Sequence, residues 1–100
     1  MTLRHIVSWK LSGETKAERD AQAAEMTAAL ETLPGKVPSL RSLSVHRNEL
    51  HEGENWDLML ITDFDDEDGL AEYAAHPEHV AVAAVTKGNT AGRVALDFHV

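Results

Sequence analysis

The chain of 100 residues has the size of one ordinary domain, and we interpret residues 1–100 as a single domain. Its 43% of hydrophobic and 26% of charged residues are typical of a soluble globular protein. No apolar run approaches the roughly 20 residues that a membrane span needs. The first residues, MTLRHIVSWKL, have no apolar stretch of signal-peptide length, and we expect a cytoplasmic protein.

Charge and cysteine content exclude several classes of function. Nine basic against 17 acidic side chains give a formal charge of −8, which repels phosphate backbones and anionic lipid. We therefore expect neither nucleic acid nor a membrane as partner. The absence of cysteine excludes disulfides, iron–sulfur clusters and a thiolate nucleophile, and leaves His, Asp and Glu as candidate metal ligands.

The first half of the chain predicts a strand, a helix and a second strand. Residues 3–11 alternate in the manner of a strand. Thr15 with Glu18 three residues later predicts a capping box at a helix start, and Pro34-Gly35 predicts its end. The predicted buried stripe of this helix is Ala23, Met26, Leu30 and Leu33. Residues 40–50 then alternate as a second strand.

The second half predicts a strand, a broken helix and a last strand. Residues 56–64 place Trp56 on one face with Leu58, Leu60, Thr62 and Phe64, and form an antiparallel hairpin with the preceding strand. The acidic run 65–68 suits the solvated start of a helix. Pro77 predicts a new helical segment that ends at Gly88-Asn89, and residues 92–100 form the closing strand.

This order, β-α-β-β-α-β, predicts an α+β fold of the ferredoxin-like type. Such a fold has a four-stranded antiparallel sheet with both helices on one face. The other face carries apolar residues here, namely Ile6, Met59 and Ile61, which suggests that something covers it. We predict a homodimer joined sheet to sheet.

The heptapeptide YAAHPEH, residues 73–79, holds the one tyrosine and two of the six histidines of the chain. Imidazole suits a base that removes a proton next to a carbonyl, and phenol suits a donor to the oxyanion that develops. On a continuous helix Tyr73 and His79 would point about 120° apart. The break at Pro77 is therefore required to bring them together.

Four segments resemble the stress-responsive dimeric α+β barrel (Dabb) domain: HIVSWKL, the acidic helix start, YAAHPEH and the closing VALDF. The resemblance implies that two ferredoxin-like subunits form a dimeric barrel. Plant polyketide cyclases of the olivetolic acid type, which have this domain, use the tyrosine and a histidine of Tyr-x-x-His-Pro-x-His for aldol cyclisation. The resemblance thus implies Tyr73 as donor and His79 as base, with His5 and His76 as substrate-binding residues.

The substrate of those cyclases is not carried over. In those plant cyclases bulky side chains of the first helix line part of the acyl pocket, whereas this helix has mainly alanines: Ala21, Ala23, Ala24, Ala28 and Ala29. We expect a small apolar or carbonyl-containing ligand, no cofactor and no metal.

Other readings remain open, including whether the protein is an enzyme. Tyr73 also suits a core aromatic, His76 a helix cap, and His5 and His79 packed structural histidines. A non-catalytic stress-response dimer is the alternative function. A haem-binding or monooxygenase-like dimeric barrel is a third reading, although no motif selects iron.

Overall fold

The computed structural model describes residues 1–100 and contains four strands and three helices. In chain order these are β1 Leu3–Leu11, α1 Lys16–Leu30, β2 Ser42–Arg47, β3 Leu58–Phe64, α2 Glu67–Ala75, α3 Pro77–Asn89 and β4 Thr90–His99. The two segments α2 and α3 together form the second helix of the ferredoxin-like pattern. The predicted order of elements is confirmed.

The four strands form one antiparallel sheet in the order β2-β3-β1-β4. The register pairs Val7 of β1 with Leu60 of β3 and with Ala95 of β4. The helices cover the sheet face that carries Val7 and Leu60, where the two side chains are buried. The buried core between sheet and helices comprises Val7, Trp9, Leu11, Ala23, Met26, Leu30, Leu33, Val37, Leu40, Leu58, Leu60, Phe64, Tyr73 and Val82. This is the ferredoxin-like α+β arrangement predicted from the sequence.

Helix α1 begins as predicted and ends earlier. The Glu18 amide donates to the Thr15 hydroxyl over 3.1 Å, while the Glu18 carboxylate accepts from the Glu14 amide over 2.9 Å. The helix ends at Leu30, and Leu33 lies in the following turn. Leu33 is nevertheless fully buried, because the turn folds back onto the core.

The predicted start of β3 is wrong by two residues because the alternation breaks at Asp57. Its carboxylate is buried and accepts the Leu11 amide over 2.9 Å, at the end of β1. Trp56, predicted on the same face as Leu58, is partly exposed and lies against Gly92, where an added Cβ would be 3.1 Å from the indole ring. The hairpin partner β2 is also shorter than the predicted 40–50.

The sheet face away from the helices is more apolar than the sequence predicted. The register sets Leu96 of β4 beside Ile6 of β1, which in turn faces Ile61 of β3. Val94 and Phe98 lie on the same face as Leu96, and all three are exposed. We call the surface formed by Ile6, Met59, Ile61, Val94, Leu96 and Phe98 the open face. No helix is both long and apolar enough to cross a membrane.

Removal of the Asp57 carboxylate is expected to destabilise the fold. Asp57→Ala leaves the Leu11 amide without its acceptor, which costs about 1–3 kcal/mol in the free energy of unfolding. Denaturant unfolding followed by tryptophan fluorescence measures the loss. The control is Glu54→Ala, an exposed carboxylate in the turn before β3, which is expected to change stability by less than about 0.5 kcal/mol. Equal stability of the two variants would contradict this role of Asp57.

Candidate functional site

The candidate site forms at the break between α2 and α3. His76 has extended backbone angles, φ −65° and ψ 134°, and serves both as the C-cap of α2 and as the N-cap of α3. Its amide donates to the Tyr73 carbonyl over 3.2 Å, and its Nδ1 accepts from the Glu78 amide over 3.1 Å. Pro77 follows as the first residue of α3, where its missing N–H leaves no bond unmade.

The change of direction at His76 places the rings of Tyr73 and His79 in contact. Their centroids are 4.2 Å apart and the ring planes are inclined by 45°. Phe64 of β3 lies on the Tyr73 ring as well, with centroids 5.0 Å apart and planes at 55°. The tyrosine ring is thus held by contacts from both sheet and helix.

A cavity of about 200 Å³ opens beside these rings, between the sheet and the helices. Its lining is mainly apolar and comes from β1, α1, β3, α2, α3 and β4: His5, Val7, Trp9, Leu30, Leu60, Tyr73, His79, Val82, Ala83, Thr86 and Arg93. Three of the four residues predicted for the site, Tyr73, His79 and His5, are therefore brought to one cavity. The fourth, His76, is not part of its lining.

The Tyr73 hydroxyl is buried without a hydrogen-bond partner in the protein. The residue is only 2% exposed, and no protein donor or acceptor lies within reach of its oxygen. Removal from water disfavours the phenolate and raises the pKa of Tyr73 to about 12. The group is therefore a neutral phenol with a hydrogen available for donation, and its burial also agrees with the reading of Tyr73 as a core aromatic.

The tautomer of neutral His79 follows from its one hydrogen bond. Nδ1 lies 3.1 Å from the Ala74 carbonyl, which can only accept, so Nδ1 carries the hydrogen and Nε2 has the free lone pair. Burial lowers the pKa of His79, and the charges of His5 and Arg93 lower it further, against the opposing effect of the Ala74 carbonyl. At neutral pH the imidazole is therefore available as a base.

His5 and His76 have different surroundings. His5 Nδ1 donates to the Asp97 carboxylate on the neighbouring strand β4, which fixes its ring at the cavity. The imidazole nitrogen Nδ1 of His76 is engaged in capping α3, which agrees with the reading of this residue as a helix cap. No group of three or more His, Cys, Asp or Glu side chains is arranged to hold a metal ion.

The alanines of α1 contribute less to the site than the sequence suggested. Ala21, Ala24 and Ala28 are exposed, and only Ala23 and Ala29 pack on the core. The single side chain of α1 that lines the cavity is Leu30.

Two polar residues of the cavity were not predicted, Thr86 and Arg93. Thr86 is buried and its hydroxyl donates to the Ala83 carbonyl over 2.9 Å. Arg93 lies on β4 opposite Trp9 of β1. The alternation of β4 separates Arg93 from the apolar face of that strand, but only the pairing with β1 places it beside the histidines.

Comparison with protein families matches residues 3–100 to Dabb, the stress responsive A/B barrel domain. The chain belongs to the Dabb family. The match covers nearly the whole sequence, from β1 to the end of β4, and so includes every residue of the candidate site.

Solved structures with the same fold include dimeric proteins. A dimeric ferredoxin-like protein of unknown function from Bacteroides fragilis is 31% identical, with a TM-score of 0.88 over 99% of this chain and 96% of that one. A second dimeric ferredoxin-like protein, from Thermobifida fusca, is 29% identical with a TM-score of 0.82 over 100% and 92%.

A hydroxynitrile lyase from Passiflora edulis is 13% identical to this Dabb domain, with a TM-score of 0.79 over 99% and 93% of the two chains. At this identity the likeness concerns the fold alone. No curated protein matches the sequence.

Titration of the single tyrosine tests the burial of its hydroxyl. Phenolate absorbance is expected to report a pKa of about 12 in the folded protein. In denaturant the same group is expected to titrate at about 10, its value in an unfolded chain. Because the folded pKa is higher, the stability contributed by the neutral phenol is lost as pH rises through this interval. A native midpoint near 10 would contradict a desolvated hydroxyl.

Proposed function

We propose that this Dabb domain binds a small carbonyl-containing molecule in the cavity and acts on it as a cofactor-independent cyclase or lyase. The observation that carries the proposal is the buried, unpartnered hydroxyl of Tyr73 beside the neutral base His79. An unsatisfied buried donor is costly to a fold, and a ligand oxygen would supply the missing acceptor.

The reaction begins with removal of a proton next to the substrate carbonyl. The lone pair of His79 Nε2 takes the proton, and the electrons of the C–H bond move into the carbonyl to form an enolate. Tyr73 donates a hydrogen bond to the enolate oxygen as its negative charge develops. The carbanion carbon then attacks a second carbonyl of the same molecule, and the imidazolium returns its proton to the new alkoxide.

The surroundings of the two residues support these roles. The Ala74 carbonyl holds the His79 ring in one tautomer and stabilises the imidazolium that forms during the reaction. The apolar lining strengthens a hydrogen bond to an oxyanion, because little water competes for it. The ring contact with Phe64 restricts the orientation of Tyr73.

One neighbour of the same fold is an enzyme. The Passiflora edulis protein, which has the same fold, is a hydroxynitrile lyase. A shared fold does not specify a reaction, and the proposal rests on the contacts within the cavity.

We propose further that the protein is a homodimer joined through the open face. The face is apolar and exposed in the single chain, although apolar side chains of this size are stabilised by burial. The two similar proteins from Bacteroides fragilis and Thermobifida fusca are dimeric, which supports the same assembly here.

Exchange of carbon-bound hydrogen in D₂O tests the catalytic proposal. The probe is benzylacetone, an apolar methyl ketone, and the exchange of its α-hydrogens is followed by NMR. The protein is expected to accelerate exchange, and His79→Gln to reduce the acceleration by about 10²–10⁴ because the base is lost. The rate is expected to rise with pH to a plateau as His79 loses its proton, with a midpoint below the ordinary histidine value of about 6.5, because burial lowers the pKa of His79.

Two further variants separate catalysis from folding. Tyr73→Phe is expected to reduce exchange by about 10²–10³ through loss of the oxyanion donor. Its free energy of unfolding is expected to stay within about 1 kcal/mol of the parent, since no hydrogen bond within the protein is lost. His51→Asn, in an exposed turn, is the matched control and should exchange as the parent does. Exchange no faster than in buffer would favour the non-catalytic alternative.

A charge on the open face tests the dimer. Leu96→Glu is expected to give a folded monomer, because a carboxylate cannot be buried unpaired at an apolar interface. The matched control is Leu50→Glu in the loop after β2, since Leu50 and Leu96 are 68% and 69% exposed in the single chain. Light scattering measures the mass. A monomeric parent, or a dimeric Leu96→Glu variant, would contradict the proposal.

A further inference from the structure

Arg93 differs from the other arginines in having no acidic partner. The chain has five arginines. Four of them form ion pairs: Arg4 with Asp63, Arg19 with Glu52, Arg41 with Asp65, and Arg47 with Asp20. The Arg93 guanidinium forms no ion pair and no hydrogen bond with any side chain or carbonyl of the chain, although acidic residues exceed basic ones by 17 to 9.

The cavity beside Arg93 also has no carboxylate. The ionisable residues that line it are Arg93, His5, His79 and Tyr73, and the lining contains no Asp or Glu. The nearest acid along the same face of β4 is Asp97, whose carboxylate is engaged by His5. Arg93 and His79 line the same cavity, and the positive charge of Arg93 adds to the effects that lower the pKa of His79.

Three features of the cavity thus suit one kind of ligand. An unpaired guanidinium binds a carboxylate through two parallel hydrogen bonds. The buried Tyr73 hydroxyl lacks an acceptor, and the remaining walls are apolar. A molecule with a carboxylate, a carbonyl oxygen and an apolar body supplies a partner for each of these features.

We propose that the ligand of the cavity is a small apolar keto acid whose carboxylate pairs with Arg93. This inference rests on the proposed function, because it takes the carbonyl oxygen as the partner of Tyr73. Arg93 is then a specificity-determining residue that binds the substrate and takes no part in proton transfer.

Binding of an isosteric pair of probes tests the inference without relying on turnover. The probes are phenylpropanoate and phenylpropanamide, which have nearly the same shape and differ in charge. Calorimetry is expected to give at least about tenfold tighter binding of the carboxylate at low salt, and this advantage is expected to decrease as salt rises. Arg93→Gln is expected to remove the advantage and to leave binding of the amide unchanged.

Two more variants complete the design. Arg93→Lys keeps the charge without the forked donor geometry and is expected to retain only part of the advantage. The control Arg41→Gln removes an exposed arginine that is already paired with Asp65 outside the cavity, and should bind both probes as the parent does. Because the Arg93 side chain is exposed and makes no hydrogen bond or ion pair within the chain, its replacement is expected to leave the thermal midpoint nearly unchanged.

A second readout monitors the histidine directly. In an NMR titration, phenylpropanoate is expected to raise the pKa of His79, because the bound carboxylate offsets the charge of Arg93. Phenylpropanamide should cause a smaller shift in the pKa of His79. In Arg93→Gln the two probes should shift this pKa equally.

The outcomes distinguish this inference from the proposed function. Three results would overturn the role of Arg93. These are equal affinity of the parent protein for the two probes, an equal loss of affinity for both probes in Arg93→Gln, and no binding of either probe. Hydrogen exchange of benzylacetone, a neutral ketone, tests the proposed roles of His79 and Tyr73 independently of Arg93. Exchange without a carboxylate preference would keep the proposed function and reject the keto acid.

Discussion

The interruption of the second helix at His76-Pro77 is the constraint on which the site depends. Pro77 cannot donate the amide that a continuous helix requires, and its ring disfavours a helical residue before it. His76 accordingly adopts an extended conformation and caps both helical segments. If the helix continued, Tyr73 and His79 would project about 120° apart. With the break, their rings are 4.2 Å apart.

The two faces of the sheet differ in what covers them. The face covered by the helices supplies the core and most of the cavity wall, so that binding surface and folding core are continuous. The open face is apolar along β1, β3 and β4, and no element of the same chain covers it. A second copy on the open face would leave the cavity on the opposite side of the sheet, within each subunit.

The electrostatics of the cavity contrast with those of the whole protein. The chain has a formal charge of −8, yet the cavity is lined by two histidines, an arginine and a phenol, with no carboxylate. Burial acts on the two central groups in the same sense, because it keeps both Tyr73 and His79 neutral. A neutral acid and a neutral base next to each other are suited to moving a proton on a bound molecule.

The sequence by itself determined the order of elements, the faces of the strands and the position of the helix break. These follow from local rules, because side chains alternate along a strand, repeat every 3.6 residues in a helix, and Pro77 blocks a helical hydrogen bond wherever it stands. The same rules failed at Asp57, since its alternation is broken by a bond to Leu11, which is distant in sequence. The heptapeptide and the family resemblance also predicted Tyr73, His79 and His5 as residues of the site, and all three line the cavity.

Only the tertiary structure decided which groups share the cavity and which atoms remain free there. The pairing of β4 with β1 brings Arg93 beside the histidines and Asp97 onto His5, and no local pattern contains that register. The free Nε2 of His79 follows from a carbonyl five residues earlier that the helix break turns toward it. The absence of a hydrogen-bond partner for the Tyr73 hydroxyl likewise depends on every residue that packs around it, and these residues come from both ends of the chain.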